Sequence, residues 1–160
     1  MKQIAAILTA TLIAFTLAAA TTPPNLGWLK FETKVSDKVL RWKVRNETPP
    51  EVSPAQFPNR IEMHWKYTPD AAGMPSPEVE ANFARLEAAI DPIQGDHVAY
   101  LMMVVTGNGD RTWFWYAGDT KAFAAALNNL LPGHPYPITL HLAGNEPDWK
   151  TYRTMRGTSR

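Results

Sequence analysis

Two imidazoles and a carboxylate recur at spacings that could put them on one surface. From Arg60 to Tyr67 the residues alternate, with Ile61, Met63, Trp65 and Tyr67 on one side and Glu62, His64 and Lys66 on the other, the period of a strand. Around His141 a second alternation sets Thr139 and His141 against Ile138, Leu140 and Leu142. If these strands are antiparallel neighbours at the centre of a sheet, Glu62, His64 and His141 share its polar face. Such a set could hold a divalent metal or act as the general acid and base of a hydrolase. The plainer role is an ordinary polar sheet face, because two histidines fall short of a recognised metal motif. His97, after Gly95-Asp96, and His134, in a Pro-Tyr-Pro loop, lack even that context and read as surface or capping residues.

Binding chemistry has two further candidates. Arg41, Lys43 and Arg45 alternate with Leu40, Trp42 and Val44, which gives a basic stripe on one strand face. It is either a solvated edge that discourages aggregation or a patch for an acidic partner or anionic lipid headgroups. Trp113 and Trp115 alternate with Phe114 and Tyr116, so one of these pairs must face away from any helices packed on the sheet. That pair is either a contact surface or is covered by the first two strands through Leu40, Trp42 and Val44. Arg41, Lys43, Arg45, Trp113 and Trp115 are the binding residues expected from sequence. Gly107-Asn108-Gly109-Asp110 lies between strands and is a turn, not a phosphate loop. No serine sits in a G-x-S-x-G context. Near the C-terminus, Asp148 is expected to cap a helix that Trp149 and Tyr152 dock onto the domain.

The chain that must position these groups has 160 residues, with 16 Lys and Arg, 15 Asp and Glu, four His and no Cys. An apolar content of 45% excludes a disordered chain, and the lack of Cys excludes disulfides, thiol nucleophiles and cysteine-ligated zinc. Lys2, the apolar run from Ile4 to Leu17 and Ala18-Ala19-Ala20 have the layout of a signal peptide over residues 1–20, cleaved after Ala20. A periplasmic or secreted protein is expected, with no stable membrane span after cleavage. Without Lys2 the positive and negative residues balance at 15 each, which gives no general attraction to nucleic acid.

Residues 21–56 read as a leader, a β-hairpin turning at Ser36-Asp37 and a Pro-rich linker. Residues 57–156 follow the order strand, helix, strand, strand, helix, strand, and 157–160 read as a frayed tail. Ser76-Pro77-Glu78 opens the first helix, with Val79, Phe83, Leu86 and Ile90 as its apolar stripe. Asp119 caps the second. The unbroken run Val98–Val105 reads as a strand buried on both faces. This order predicts an α+β, two-layer α/β sandwich with a ferredoxin-like βαββαβ core, both helices on one face, and an added N-terminal hairpin.

Six stretches carry a family resemblance: Phe57-Pro58-Asn59, the Ile61-x-x-x-Trp65-x-Tyr67 strand, Gly73-Met74-Pro75-Ser76, Thr106-Gly107-Asn108-Gly109 with Tyr116-Ala117, His134-Pro135-Tyr136-Pro137-Ile138, and Asp148-Trp149-x-x-Tyr152. Over Phe57–Met155, and more weakly in the first two strands, the chain resembles the bacterial family called domain of unknown function 695. The resemblance supports the fold, and relatives joined to a module similar to the regulator of ribonuclease E activity hint at a regulator that covers an enzyme's site. It transfers no catalytic residue. The expectation is an exported, non-catalytic binding module, monomeric or weakly dimeric. It would take no cofactor and no metal, and would meet a protein or small ligand through the helix-free face of its sheet. The rival is a metal-dependent or acid–base hydrolase centred on Glu62, His64 and His141.

Overall fold

Both faces of the sheet carry an apolar core, and its two central strands supply buried side chains to each. The computed structural model describes residues 27–158, so the expected signal peptide and most of the leader lie outside the described residues. Six antiparallel strands form one sheet in the order β1-β2-β4-β5-β3-β6. They are β1 (Trp28–Val35), β2 (Lys38–Arg45), β3 (Asn59–Lys66), β4 (Ala99–Gly107), β5 (Asp110–Ala117) and β6 (Ile138–Asn145). Three helices of more than one turn accompany them: α1 (Pro77–Ile90), α3 (Thr120–Leu130) and α4 (Lys150–Thr158). A single turn, α2 (Pro92–Gly95), follows α1 directly.

Local chemistry sets these boundaries. The Ser76 hydroxyl accepts from Val79 N at 3.3 Å at the start of α1, and Asp119 accepts from Lys121 N and Ala122 N at the start of α3. Ser36 and Asp37 both take positive φ in the β1–β2 turn, as do Asn108 and Gly109 between β4 and β5. Two successive left-handed residues match the twist of the flanking strands. Gly107 is required for a different reason: a Cβ there would run into the Val39 carbonyl oxygen, where β2 comes close to β4.

The helix-side core joins Ile61, Met63 and Trp65 of β3 and Trp113 and Trp115 of β5 to the stripes of α1 and α3. On the reverse side, Val44, Tyr100, Met102, Met103 and Tyr116 meet Val52, Trp149 and Tyr152. A bulge between Leu101 and Met103 lets β4 send Met102 and Met103 to the same side. β4 is accordingly buried along nearly its whole length, as its unbroken apolar run implies.

Two expectations change, and the place of the hairpin, at an edge or over a face, is decided. The hairpin does not cover a face; it extends the sheet, with Arg41–Val44 paired to Thr106–Met103. The reverse face is not helix-free, because α4 lies against it through Trp149 and Tyr152, both 1% exposed. Proline-rich residues 49–57 pack there too, with Val52 buried and Phe57 edge-on to Tyr100 at 4.9 Å. Finally, β6 is an edge strand rather than a central one.

Candidate functional site

β3 carries a polar track down the reverse face, Arg60, Glu62 and His64 in sequence. The β3–β6 register sets Glu62 opposite His141, and the β3–β5 register sets His64 opposite Thr112. Glu62 Oε2 lies 3.5 Å from His64 Nε2 and 3.7 Å from His141 Nδ1, so the three residues grouped from sequence do converge. His64 Nδ1 lies 3.0 Å from both Asp110 Oδ2 and Thr112 Oγ1. A carboxylate only accepts, so a proton on Nδ1 is donated to Asp110, while Nε2 faces a second carboxylate, Glu62, at 3.5 Å. Asp110 orients the ring, and the Glu62 carboxyl group stands beside its other nitrogen. Among the described residues no three His, Asp or Glu side chains are placed to hold a metal ion.

The track continues away from the histidines. Arg60 reaches Glu62 at 3.5 Å, Glu146 at 3.2 Å and the Thr151 hydroxyl at 2.6 Å. Glu146 also accepts from Tyr116 OH at 3.0 Å and from Thr151 N at 3.1 Å, at the first turn of α4. Burial opposes the charge on Glu146, but hydrogen bonds from Thr151 and Tyr116 and the Arg60 guanidinium outweigh it and hold its carboxyl below the usual range. Burial first, and Glu146 second, push the Tyr116 phenol well up, so it remains a donor. The helix is thus capped by Glu146 and not by Asp148, which instead pairs with Arg153 at 2.6 Å on the surface.

The basic stripe faces the other way. Lys43 is paired in register with Val104 and Arg41 with Thr106, on the side where α1 lies. Beyond α1 the β1–β2 ribbon overhangs a cleft of about 460 Å³. Four cations line it, Lys30, Arg41, Lys43 and Arg111, against the carboxylates Glu32 and Glu80. Arg111 forms the floor, its side chain 8% exposed and bonded to Glu87 at 2.5 Å and Thr106 at 2.9 Å. Arg41 is held only at the surface, 3.2 Å from Glu32, and Lys43 stands 3.7 Å from Glu87. Arg45 does not reach the cleft: it lies over the Trp28 ring at 4.5 Å and donates to Leu101 O and Gln94 Oε1.

The profile of a family of unknown function, DUF695, matches residues 27–155. The chain belongs to that family. A search of curated proteins and a search of solved structures each return no match. The DUF695 match begins ahead of β1, so it takes in the hairpin, whose residues carry the weaker part of the resemblance. Among the described residues no helix is long and apolar enough to cross a membrane.

Within this DUF695 chain, two residues expected to bind are removed from any surface. Trp113 is 0% and Trp115 1% exposed, because both point into the core under α1 and α3. Their neighbours Phe114 and Tyr116 take the reverse side, where Trp149 stacks on Tyr116 at 4.6 Å. Phe114 instead joins a half-exposed ladder with Trp42 and Phe31, each step 6.2 Å. His97 bonds to Tyr100 OH, and His134 is exposed in its loop. Asp110, Arg60, Lys30 and Arg111 are the site residues that sequence reasoning missed. The Asp110 signal was its place two residues before Thr112, on the strand face that meets His64.

Proposed function

We propose that this protein is an exported, non-catalytic binding module that takes a small anionic ligand, one bearing carboxylate or phosphate groups, in the cleft between the β1–β2 ribbon and α1. The observation that carries the reading is the concentration of four cations around a concavity of about 460 Å³, against two carboxylates. The volume is that of an ordinary small-molecule site. Arg111 is already neutralised and fixed by Glu87, so it shapes the floor. Arg41 is paired only through an exposed contact, worth about 0–1 kcal/mol, which a ligand anion displaces at little cost. The contact surface thereby moves from the reverse face, where α4 lies, to the helix side. The chain order and the order β4-β5-β3-β6 support a ferredoxin-like core extended by the β1–β2 hairpin. The signal-like pattern of residues 1–20 supports export to the periplasm or beyond.

Titration calorimetry with pyrophosphate and with citrate, at low salt, tests the reading. One of the two should bind the wild type, and Lys30→Gln with Arg41→Gln should weaken it at least tenfold without lowering the melting temperature. Binding of neither anion, or binding that the double substitution leaves unchanged, sinks the proposal.

The second reading, an acid–base hydrolase, is favoured by one observation: Asp110, His64 and Glu62 stand in series, with His141 on the far side of Glu62. In that role His64 Nε2 would take a proton from water while Asp110 holds the ring. Hydrolysis of an ester substrate that disappears in His64→Ala, with the fold intact, would select this reading over the first.

A further inference from the structure

We infer that β6 is a self-pairing edge, through which two copies of this chain join their sheets antiparallel about a twofold axis at Leu140. β6 pairs with β3 on one side and with no strand among the described residues on the other. The free side of a strand presents unpaired N–H and C=O groups, and their complement is another strand. Charge is the usual protection, and β1, the opposite edge, carries Lys30, Glu32 and Lys34. β6 reads Ile-Thr-Leu-His-Leu-Ala-Gly-Asn, without lysine, arginine, acid or proline.

Shape decides the occupant. On the helix side Leu142 stands 58% and Leu140 44% exposed. Ile138 and Leu140 form one wall of a recess of about 150 Å³ whose other walls include Leu127, Leu131 and Tyr136. In an antiparallel pair centred on Leu140, position 142 of each copy falls opposite position 138 of the other. Each exposed Leu142 then stands beside the recess of the opposite copy, and the fit occurs twice by symmetry. On the reverse side the same register sets each His141 against a threonine at position 139, so no like charges meet. An unrelated extended peptide would satisfy the backbone but would not supply a leucine at both recesses.

The chain has no cysteine, which makes cross-linking selective. Leu140→Cys on the axis should oxidise rapidly to a disulfide-linked dimer, since cross-strand neighbours lie within bonding reach. Val35→Cys on β1, where the side chain is 58% exposed against 44% for Leu140, should remain monomeric under the same conditions. In sedimentation from about 1 to about 500 μM, the range in which a small interface dissociates, the wild-type mass should rise towards twice the monomer. Leu140→Lys should raise the dissociation constant at least tenfold with an unchanged melting curve. A wild type that stays monomeric throughout, a dimer indifferent to Leu140→Lys, or Leu140→Cys cross-linking no faster than Val35→Cys each overturns the inference.

Discussion

One glutamate on each face of the sheet holds an arginine and an aromatic donor, yet the two sites differ in what they secure. On the helix side Glu87 accepts from Arg111 and from Trp113 Nε1 at 2.8 Å, while the Arg111 guanidinium lies over Phe83 at 4.8 Å. Glu87 rides on α1, a helix already fixed by Phe83, Leu86 and Ile90. Its ion pair neutralises a cation that the apolar core has enclosed. On the reverse side Glu146 accepts from Tyr116, Thr151 and Arg60, and it precedes a helix with a single buried residue of its own, Tyr152. There the carboxylate positions the helix. One face is built by hydrophobic burial with a polar pair enclosed; the other is a polar network with an aromatic anchor attached.

Removing the anchor should have the largest effect. Trp149→Ala loses the stack on Tyr116 and the bond from Nε1 to Phe57 O, and should cost about 3–5 kcal/mol in denaturant unfolding. A loss under about 1 kcal/mol would mean that α4 is not part of the reverse core. Glu87→Ala comes next, at about 2–3 kcal/mol, because it leaves Arg111 enclosed with the Thr106 hydroxyl and, as its remaining carboxylate, only Glu80 at 3.7 Å. Glu146→Gln should cost about 1–2 kcal/mol, since the amide still accepts and Arg60 keeps Glu62. If Glu146→Gln proved costlier than Glu87→Ala, the contrast between the faces would be reversed.

Acid should act through both carboxyls. Burial opposes the charge of Glu87 too, but Arg111, the Trp113 bond and Lys43 hold its carboxyl below the usual range. A lowered folded pKa stabilises the fold above the unfolded carboxylate value of about 4.3, and that stability is lost as pH falls through the folded value. The melting-temperature gap between wild type and Glu146→Gln should therefore be full near neutrality and narrow as pH drops from about 5 towards 3. A gap that stays constant contradicts the assignment. Arg153→Ala, which removes the exposed pair with Asp148, should change stability by less than about 0.5 kcal/mol in the same unfolding assay.

Much of this could be read along the chain, for a local reason. Alternation in β3 and β6 is a short-range signal, and it brought Glu62, His64 and His141 together correctly. Ser76, Asp119 and Asn108-Gly109 act within a turn and fell where their chemistry requires. On β2, β4 and β5 the misplacements concern which side a set faces. In β5 both alternating sets are aromatic, so the period separates Trp113 and Trp115 from Phe114 and Tyr116 without saying which set the helices cover. The side taken by Arg41 and Lys43 follows from the β2–β4 register, and the bulge at Met102 and Met103 breaks the alternation on β4. The placement of α4 depends on Glu146, an acceptor five residues before Thr151 and so outside the usual capping spacing.

The attachment of α4 also orders events in time. Trp149 bonds to Phe57, 92 positions upstream, and Tyr152 OH bonds to the Arg45 carbonyl, 107 positions upstream. Contacts that span roughly a hundred residues close slowly, so the strands can pair while the seat for these two rings stands vacant. During that interval Tyr116 and Met102 are wetted, and the open apolar seat is a place where copies can stick together until α4 docks.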